Sequence, residues 1–416
     1  MNTVRTTMNK ICMYTPSADG GMAQYAWELL NALAAHPRGG GGDCFELVSG
    51  RDLQGQFKSD KYPVHAILPP LRHRSEFSSR LGWIASRLGH YPYREWAFLR
   101  WLRKRPDIGG VHFQERTPWL ATSMFRRVRA MGKKVFYTVH NVLPHNYPAG
   151  VPRATVDGWT RKSCLLCDGL FVHTEALAAQ LSQFLGEPHP PIQVVPHGVW
   201  TVRDTSGVPS VAERLTWKRL LFFGAIRRNK GLDLLLRAME QLPGYRLTIA
   251  GEPLERQYFQ DEVLPQINRL RAAGVEIDLQ DHFTPDGEVA RLFARHGAVV
   301  LPYTQEFVAQ SGVIFMALAH EIPVVASEAG GMRDLFGQYK VGETFKESSA
   351  AGLADAIRAL HGAATVSGRL IEEIRLAKRR FSWGAAASAT IAGYALAHEG
   401  RKEAAGDCPA ETNPAL

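Results

Sequence analysis

The chain has 416 residues, 45% apolar and 21% charged, which excludes a disordered protein and is too long for one ordinary core, so two domains are expected. Its net charge of +9 favours an anionic partner, whether a nucleotide, an acidic lipid surface or nucleic acid. No apolar run reaches the roughly 18 residues of a spanning helix, no signal peptide is visible where MNTVRTTMNK leads into ICMYT, and five cysteines argue against a disulfide framework and fit a reducing cytoplasm.

The first expected strand, Ile11–Thr15, runs into PSADGGMAQYAWELLNAL. Gly20 and Gly21 precede a helix with Met22, Ala26, Leu29 and Leu33 on one side. Two glycines let a ligand approach the backbone and leave a helix start open to an anion; a tight strand-to-helix turn explains them equally well. There is no GxGxxG, so the dinucleotide fingerprint is not met. A second strand is expected at Phe45–Ser49. Residues 72 to 105 then place arginines and lysines between Phe77, Trp83, Tyr91, Tyr93, Trp96, Phe98 and Trp101. That interleaving suits an anionic membrane interface. A helical pair whose aromatics pack on the first domain is the other reading, and the sequence leaves both open.

Strands Val111–Gln114 and Val135–Val139 follow, the second running into FYTVHNVLPHN. His140 sits where strand meets loop, a position suited to touching a substrate or to bonding nearby backbone. His145 and His197 add no clear metal spacing. Cys164 and Cys167 form a lone CxxC in a segment that looks helical; a zinc site would want a second pair, so buried small apolar residues are the better reading. Strands Leu170–His173 and Gln193–Val195 complete the first half.

After a break near Arg203–Ser210 the pattern restarts with strands Leu220–Phe223, Arg246–Ala250, Val275–Leu279, Ala298–Leu301 and Pro323–Ala326. Helical stretches lie between most of them. Such alternation implies parallel sheets covered by helices on both faces, here two doubly wound domains with a boundary close to residue 205. The segment LLFFGAIRRNKGLDLLLRAMEQL carries Arg227, Arg228 and Lys230 in a short loop; Gly231 then opens a helix with Leu232, Leu235, Leu236, Met239 and Leu242 at helical spacing. Cations beside the free N–H groups of a helix start make a site for a diphosphate, or else an exposed basic turn. Further on, Ser311 is a reasonable helix N-cap and Gly312 leaves its N–H groups accessible.

The ordered set GGMAQYAWELLNAL, TVHNVLPH, FVHTEALAAQL, VVPHGV, FFGAIRRNKGLDLLL, IAGE and SGVIFMALAHEIPVVASEAGGMRDL resembles the retaining glycosyltransferases of family 4, over about residues 10 to 395. The resemblance implies an α/β protein of GT-B fold, two doubly wound Rossmann-like domains facing a central cleft. Residues 1–205 would form the acceptor-binding domain and 206–375 the nucleotide-sugar domain. Residues 376–400 would form a closing helix that returns to the first domain, and 401–416 a polar tail. It further implies metal-independent transfer of a sugar from a UDP- or GDP-linked nucleotide sugar, used as co-substrate with no cofactor, to a glycan, lipid-linked or small-molecule hydroxyl, in polysaccharide or glycoconjugate biosynthesis. The chain contains no DxD motif, in keeping with that chemistry. The expected location is the cytoplasm, with peripheral contact on the inner membrane face if residues 72 to 105 touch lipid. A nucleic-acid partner is not expected, because the basic residues form no recognised binding module.

By resemblance, Arg227 and Lys230 hold the donor diphosphate, Ser311, Gly312 and Val313 cradle it through backbone, Gly20 and Gly21 approach the phosphates, and His140 faces the transferred sugar. Glu252 lies near the nucleoside. The family's usual two glutamates, with seven residues between them, should fall on Val308 and Met316, and neither is acidic; Glu306 is the nearest substitute for the first. Two alternatives stay open: a nucleotide-sugar epimerase, which can share this architecture, and a non-catalytic nucleotide-sugar-binding subunit, which the missing glutamates favour.

Overall fold

The computed structural model describes residues 10–18, 20–70, 77–143, 147, 150–202, 208–307, 311–346, 349–362 and 367–406. Val308, His145, residues 72–76 and most of the break after residue 202 therefore lie outside the described residues, as does the tail beyond residue 406. The chain divides into two compact units, 1–198 with 383–416, and 199–382.

The first unit is built on a parallel seven-stranded sheet of β1 (Lys10–Tyr14), β2 (Phe45–Gly50), β3 (Val64–Leu68), β4 (Ile108–Phe113), β5 (Lys134–Thr138), β6 (Gly169–Val172) and β7 (Ile192–Val194), in the order β3-β2-β1-β4-β5-β6-β7. The second holds β8 (Arg219–Phe223), β9 (Arg246–Ala250), β10 (Glu276–Gln280), β11 (Ala298–Leu301), β12 (Val324–Ser327) and β13 (Gly342–Phe345), in the order β10-β9-β8-β11-β12-β13. Both sheets are doubly wound. The strand order reverses between β1 and β4 and between β8 and β11, and ligands of such sheets bind outside the strand C-termini at that reversal.

Central strands are mostly apolar because both faces are covered, and the buried polar residues His112 of β4 and Thr138 of β5 bond to each other. In the second unit Leu220 and Phe222 enter one core while Leu221 enters the other, and Ala298 and Val300 alternate in the same way with Val299 and Leu301. This is the period-two alternation of a strand between two layers. The expected strands are all present, shifted by up to three residues at their ends. Two were missed, β3 and β13, and both are edge strands. VHAIL and GETF lack the continuous apolar run by which buried strands are recognised, because an edge strand has less to bury.

The division of the chain departs from the expected boundaries near residue 205 and at residue 376. Val199 donates its backbone N–H to Phe381 O at 2.6 Å, and Trp200 Nε1 donates to Gly312 O at 3.0 Å, so residues 199 and 200 already belong to the second unit. The helix Ser367–Arg380 also stays there. Only the helix Trp383–Gly406 joins the first unit. His112 on β4 holds it from below. Its Nδ1 lies 2.6 Å from the Tyr394 hydroxyl and its Nε2 lies 2.8 Å from Thr138 Oγ1. Gly393 lets this helix approach, since a Cβ there would stand 2.4 Å from the Phe171 ring.

The CxxC segment is helical only in part. The helix Arg153–Cys164 ends at the first thiol, and Cys167 lies beyond it. Both thiols are buried in the core of the first unit. Burial raises Cys164 to about 11 and Cys167 well above the ordinary thiol value, which keeps them protonated and unreactive. Residues 80–103 form one helix rather than a pair, with Pro92 inside it. It buries Phe98, Leu99 and Leu102 and leaves Ile84, Leu88, Tyr93 and Trp96 exposed, so some of its aromatics pack on the first unit and others face solvent.

Candidate functional site

The basic loop of the second unit follows β8. Pairing between β8 and β9 continues past the strand ends: Gly224 donates to Ala250 O at 2.9 Å and Ile226 donates to Glu252 O at 2.9 Å. Arg228–Lys230 make one 3₁₀ turn, and Gly231, at φ +64°, begins the helix Leu232–Met239. The reversal of strand order sets this loop beside the one that follows β11. Thr304 donates its backbone N–H to Asn229 O at 3.1 Å. Lys230 Nζ lies 3.8 Å from the ring centroid of Tyr303 and 3.9 Å from that of Phe307. Tyr303 is itself held, with its hydroxyl 2.8 Å from Ser311 Oγ and its carbonyl accepting from Ser327 Oγ at 2.6 Å.

The two neighbouring arginines behave differently. Arg228 is exposed and engaged: its guanidinium forks onto the Glu262 carboxylate, its backbone N–H donates to Glu255 Oε2 at 2.9 Å, and it covers the Tyr258 ring. Among the described residues neither Arg227 nor Lys230 has a carboxylate partner. Desolvation, with the adjacent Arg227 adding to it, lowers the Lys230 amine to about 7. Each desolvated cation–π contact offsets about 2 kcal/mol of the several kcal/mol that taking an ammonium out of water costs, and the lowered amine shows that the two together fall short. Two aromatic faces therefore do not replace a counter-ion, and an anion beside Lys230 would. Asn229 Oδ1 and Thr304 Oγ1 are buried in the same place without a hydrogen-bond partner among the described residues.

Ser311 occupies the N-cap position of the helix Gly312–Ala319, but its side chain makes no capping bond because Tyr303 takes it. Val313 lies next to the basic loop: a Cβ on Gly224 would be 3.4 Å from its Cγ2. The structure thus gathers Arg227, Lys230, Ser311, Gly312 and Val313 at the end of β8 and β11. Glu252 projects from the loop after β9 and Glu306 from the turn at 304–307, both exposed. Met316 sits one helical turn past Gly312, half-buried.

In the first unit, Gly20, at φ +69°, and Gly21 start the helix Gly20–Ala35. Tyr25, buried on that helix, packs its ring edge-on against His140, with centroids 5.2 Å apart. The glycine turn and His140 therefore share one end of the sheet. His140 pairs with His173, and burial with the nearby imidazoles holds it well below the usual histidine value. Beside them at the β1/β4 reversal, Thr15 and Ser17 donate to the Glu115 carboxylate at 3.0 and 2.8 Å. Gln114 is buried with both amide atoms unpartnered among the described residues. Sequence reasoning missed the aromatic pair under Lys230 and the His173 partner of His140. LPYTQEF and FVHTEAL read locally as a strand end and a helix start, and nothing in either marks its distant partner.

Two family descriptions match the chain, "Glycosyltransferase Family 4" over residues 19–203 and "Glycosyl transferases group 1" over residues 217–362. A glycogen synthase of Mycobacterium tuberculosis is 25% identical over 94% of each chain. Among solved structures, sucrose-phosphate synthase from Thermosynechococcus elongatus superposes with a TM-score of 0.69 at 18% identity, covering 96% of this chain and 100% of that one. HepE of Anabaena in complex with UDP gives 0.64 at 16%, with the same coverage.

Proposed function

We propose, for a chain that is a glycosyltransferase of family 4 with the GT-B fold, that it moves a sugar with retention of configuration from a nucleoside diphosphate to a hydroxyl acceptor, without a metal. The observation that carries this reading is the cation pair Arg227 and Lys230, without a carboxylate partner among the described residues, at the strand-order reversal of the second unit. The diphosphate would lie against these two side chains and the start of the helix Gly312–Ala319, with Ser311, Gly312 and Val313 as its backbone cradle. As the bond from the sugar C1 to the phosphate oxygen breaks, the released charge falls on groups already in place, which lowers the barrier without reorganisation. The acceptor hydroxyl forms the new bond to C1 from the same face, and its proton passes to the leaving phosphate oxygen. Arg supplies a planar fork and Lys a point charge.

A UDP- or GDP-linked donor is the proposed co-substrate; the UDP bound to the Anabaena neighbour supports the first. Glu252 is proposed on the nucleoside side, and Glu306 on the sugar hydroxyls, in place of the glutamate expected at Val308. On the first unit, Gly20 and Gly21 are proposed to approach the phosphates and His140 the sugar.

A panel of nucleotide sugars incubated with and without glycan, lipid-linked and small-molecule acceptors tests the reading. Release of nucleoside diphosphate chiefly with acceptor present is the expected result. Isomerisation of the sugar without acceptor would favour an epimerase, and binding without turnover a non-catalytic subunit.

The acceptor is proposed to be presented at an anionic membrane. On the helix Arg80–Arg103 the apolar side chains Ile84, Leu88, Tyr93 and Trp96 are exposed, as are the basic side chains Arg100 and Arg103, with Leu88 59% and Trp96 49% exposed. The protein should sediment with phosphatidylglycerol vesicles at low salt, and Trp96→Ser should weaken that binding roughly tenfold, the effect of leaving one large side chain unburied. Sedimentation indifferent to both salt and Trp96 would discard the membrane docking. No helix among the described residues is long and apolar enough to cross a membrane.

A further inference from the structure

Tyr25 lies among three imidazoles, its ring centroid 5.2 Å from His140, 5.3 Å from His173 and 5.3 Å from His197. The hydrogen bonds of two of these rings set their protons in sequence. His173 Nδ1 is 3.1 Å from the carbonyl oxygen of Val195. A carbonyl only accepts, so Nδ1 carries the proton. A neutral imidazole has one N–H and one lone pair, so His173 Nε2 is an acceptor. His140 Nδ1 lies 2.9 Å from that Nε2 and must donate to it. The proton of His140 is then accounted for, and its Nε2 is left as a bare lone pair. Among the described residues that Nε2 has no partner. Both rings are neutral near pH 7, since burial holds His173 down to about 4 and His140 well below its ordinary value.

We propose that His173, anchored by the Val195 carbonyl, is a positioning residue that locks His140 in its Nδ1–H tautomer, so that His140 accepts a hydrogen bond from the transferred sugar and selects a hydroxyl over a carboxylate at that point. The selection rests on the functional reading above, in which His140 faces the sugar; the tautomer does not. A hydroxyl donates to the Nε2 lone pair. A glycuronate carboxylate, ionised at neutral pH, offers only lone pairs of its own, and a site built for one hydrogen-bonding partner discriminates strongly against a group that leaves it unpaired. A neutral hexose donor should therefore be preferred over the matching hexuronate by roughly 10²-fold.

The test uses the full chain labelled with ¹⁵N-histidine, with His140 assigned by the signals that His140→Gln removes. Long-range ¹H–¹⁵N spectra at pH 7.5 should show His140 protonated on Nδ1. In His173→Phe the ring should revert toward the Nε2–H form that free imidazole prefers. Transfer should then fall roughly tenfold, the loss of about one hydrogen bond, and the preference for hexose over hexuronate should narrow because Nε2–H can now donate. His173→Gln, whose amide oxygen can accept from Nδ1–H, should keep the tautomer and most of the transfer. A wild-type His140 protonated on Nε2, or a tautomer unchanged in His173→Phe, would overturn the relay. An unchanged hexose preference in His173→Phe would overturn the selection. An Nδ1–H spectrum in a protein that turns over no nucleotide sugar would support the relay and count against the glycosyl-transfer reading instead.

Discussion

Lys230→Ala and Arg227→Ala should each lower glycosyl transfer about 10²-fold or more, the usual effect of removing one charge stabiliser from a transition state. Arg228→Ala should leave transfer within a few-fold, because that guanidinium is already taken by Glu262. The contrast matters, since all three cations lie within four residues. Near-normal turnover in the first two variants, or an equal loss in the third, would remove the assignment.

The unusual amine of Lys230 adds a pH signature. With its value lowered to about 7 in the unliganded protein, the side chain is largely neutral at pH 8. A bound diphosphate favours the ammonium, so binding should take up a proton above pH 7, and affinity for UDP or GDP should weaken as pH rises. Calorimetry at pH 8 in buffers of different ionisation enthalpy measures that uptake directly. The stability sign follows from linkage. Between about 7 in the folded chain and about 10.4 in the unfolded one, the unfolded state binds more protons at this residue, so its contribution to stability rises with pH across that window. Below pH 7 both states are protonated and the burial penalty is fully present. Lys230→Met should therefore raise the melting temperature most below pH 7, with the gain shrinking toward pH 10, while transfer is lost. That combination distinguishes a functional lysine from one retained for packing.

Gly231→Ala should destabilise the protein by about 2–4 kcal/mol, among the larger effects of a single substitution. Two causes add. The residue is left-handed at φ +64°, where a Cβ costs roughly 1–2 kcal/mol, and that Cβ would stand 1.9 Å from the Pro302 carbonyl oxygen. Backbone cannot swing aside as a side chain can, so the loops after β8 and β11 must separate. Separation also withdraws Tyr303 and Phe307 from Lys230, and the KM for donor should rise. Gly244→Ala is the control: it too is left-handed, at φ +77°, but its Cβ would meet nothing within 4 Å. Equal costs for the two variants in urea denaturation would show that the approach of the loops is not as tight as described.

Local pattern carries a good deal of this protein. Alternating apolar strands and amphipathic helices announce two doubly wound sheets, because a parallel strand covered on both faces is a nearly continuous apolar run, as LLFF and AVVL are. The loop GAIRRNKG is visible as a basic insertion before a helix for the same reason: charge and periodicity are properties of neighbours in the chain. Which loops become neighbours in space is not such a property. Only the order β10-β9-β8-β11-β12-β13 brings Tyr303 and Phe307 under Lys230. Only the position of Glu262, 34 residues on, separates Arg228 from Arg227 in role. The edge strands β3 and β13, the start of the returning helix at Trp383 rather than residue 376, and the pairing of His140 with His173 across 33 residues were likewise decided by tertiary structure. Hydrogen-bond partners and left-over lone pairs depend on where backbones finish after packing, and short-range pattern says nothing about that distance.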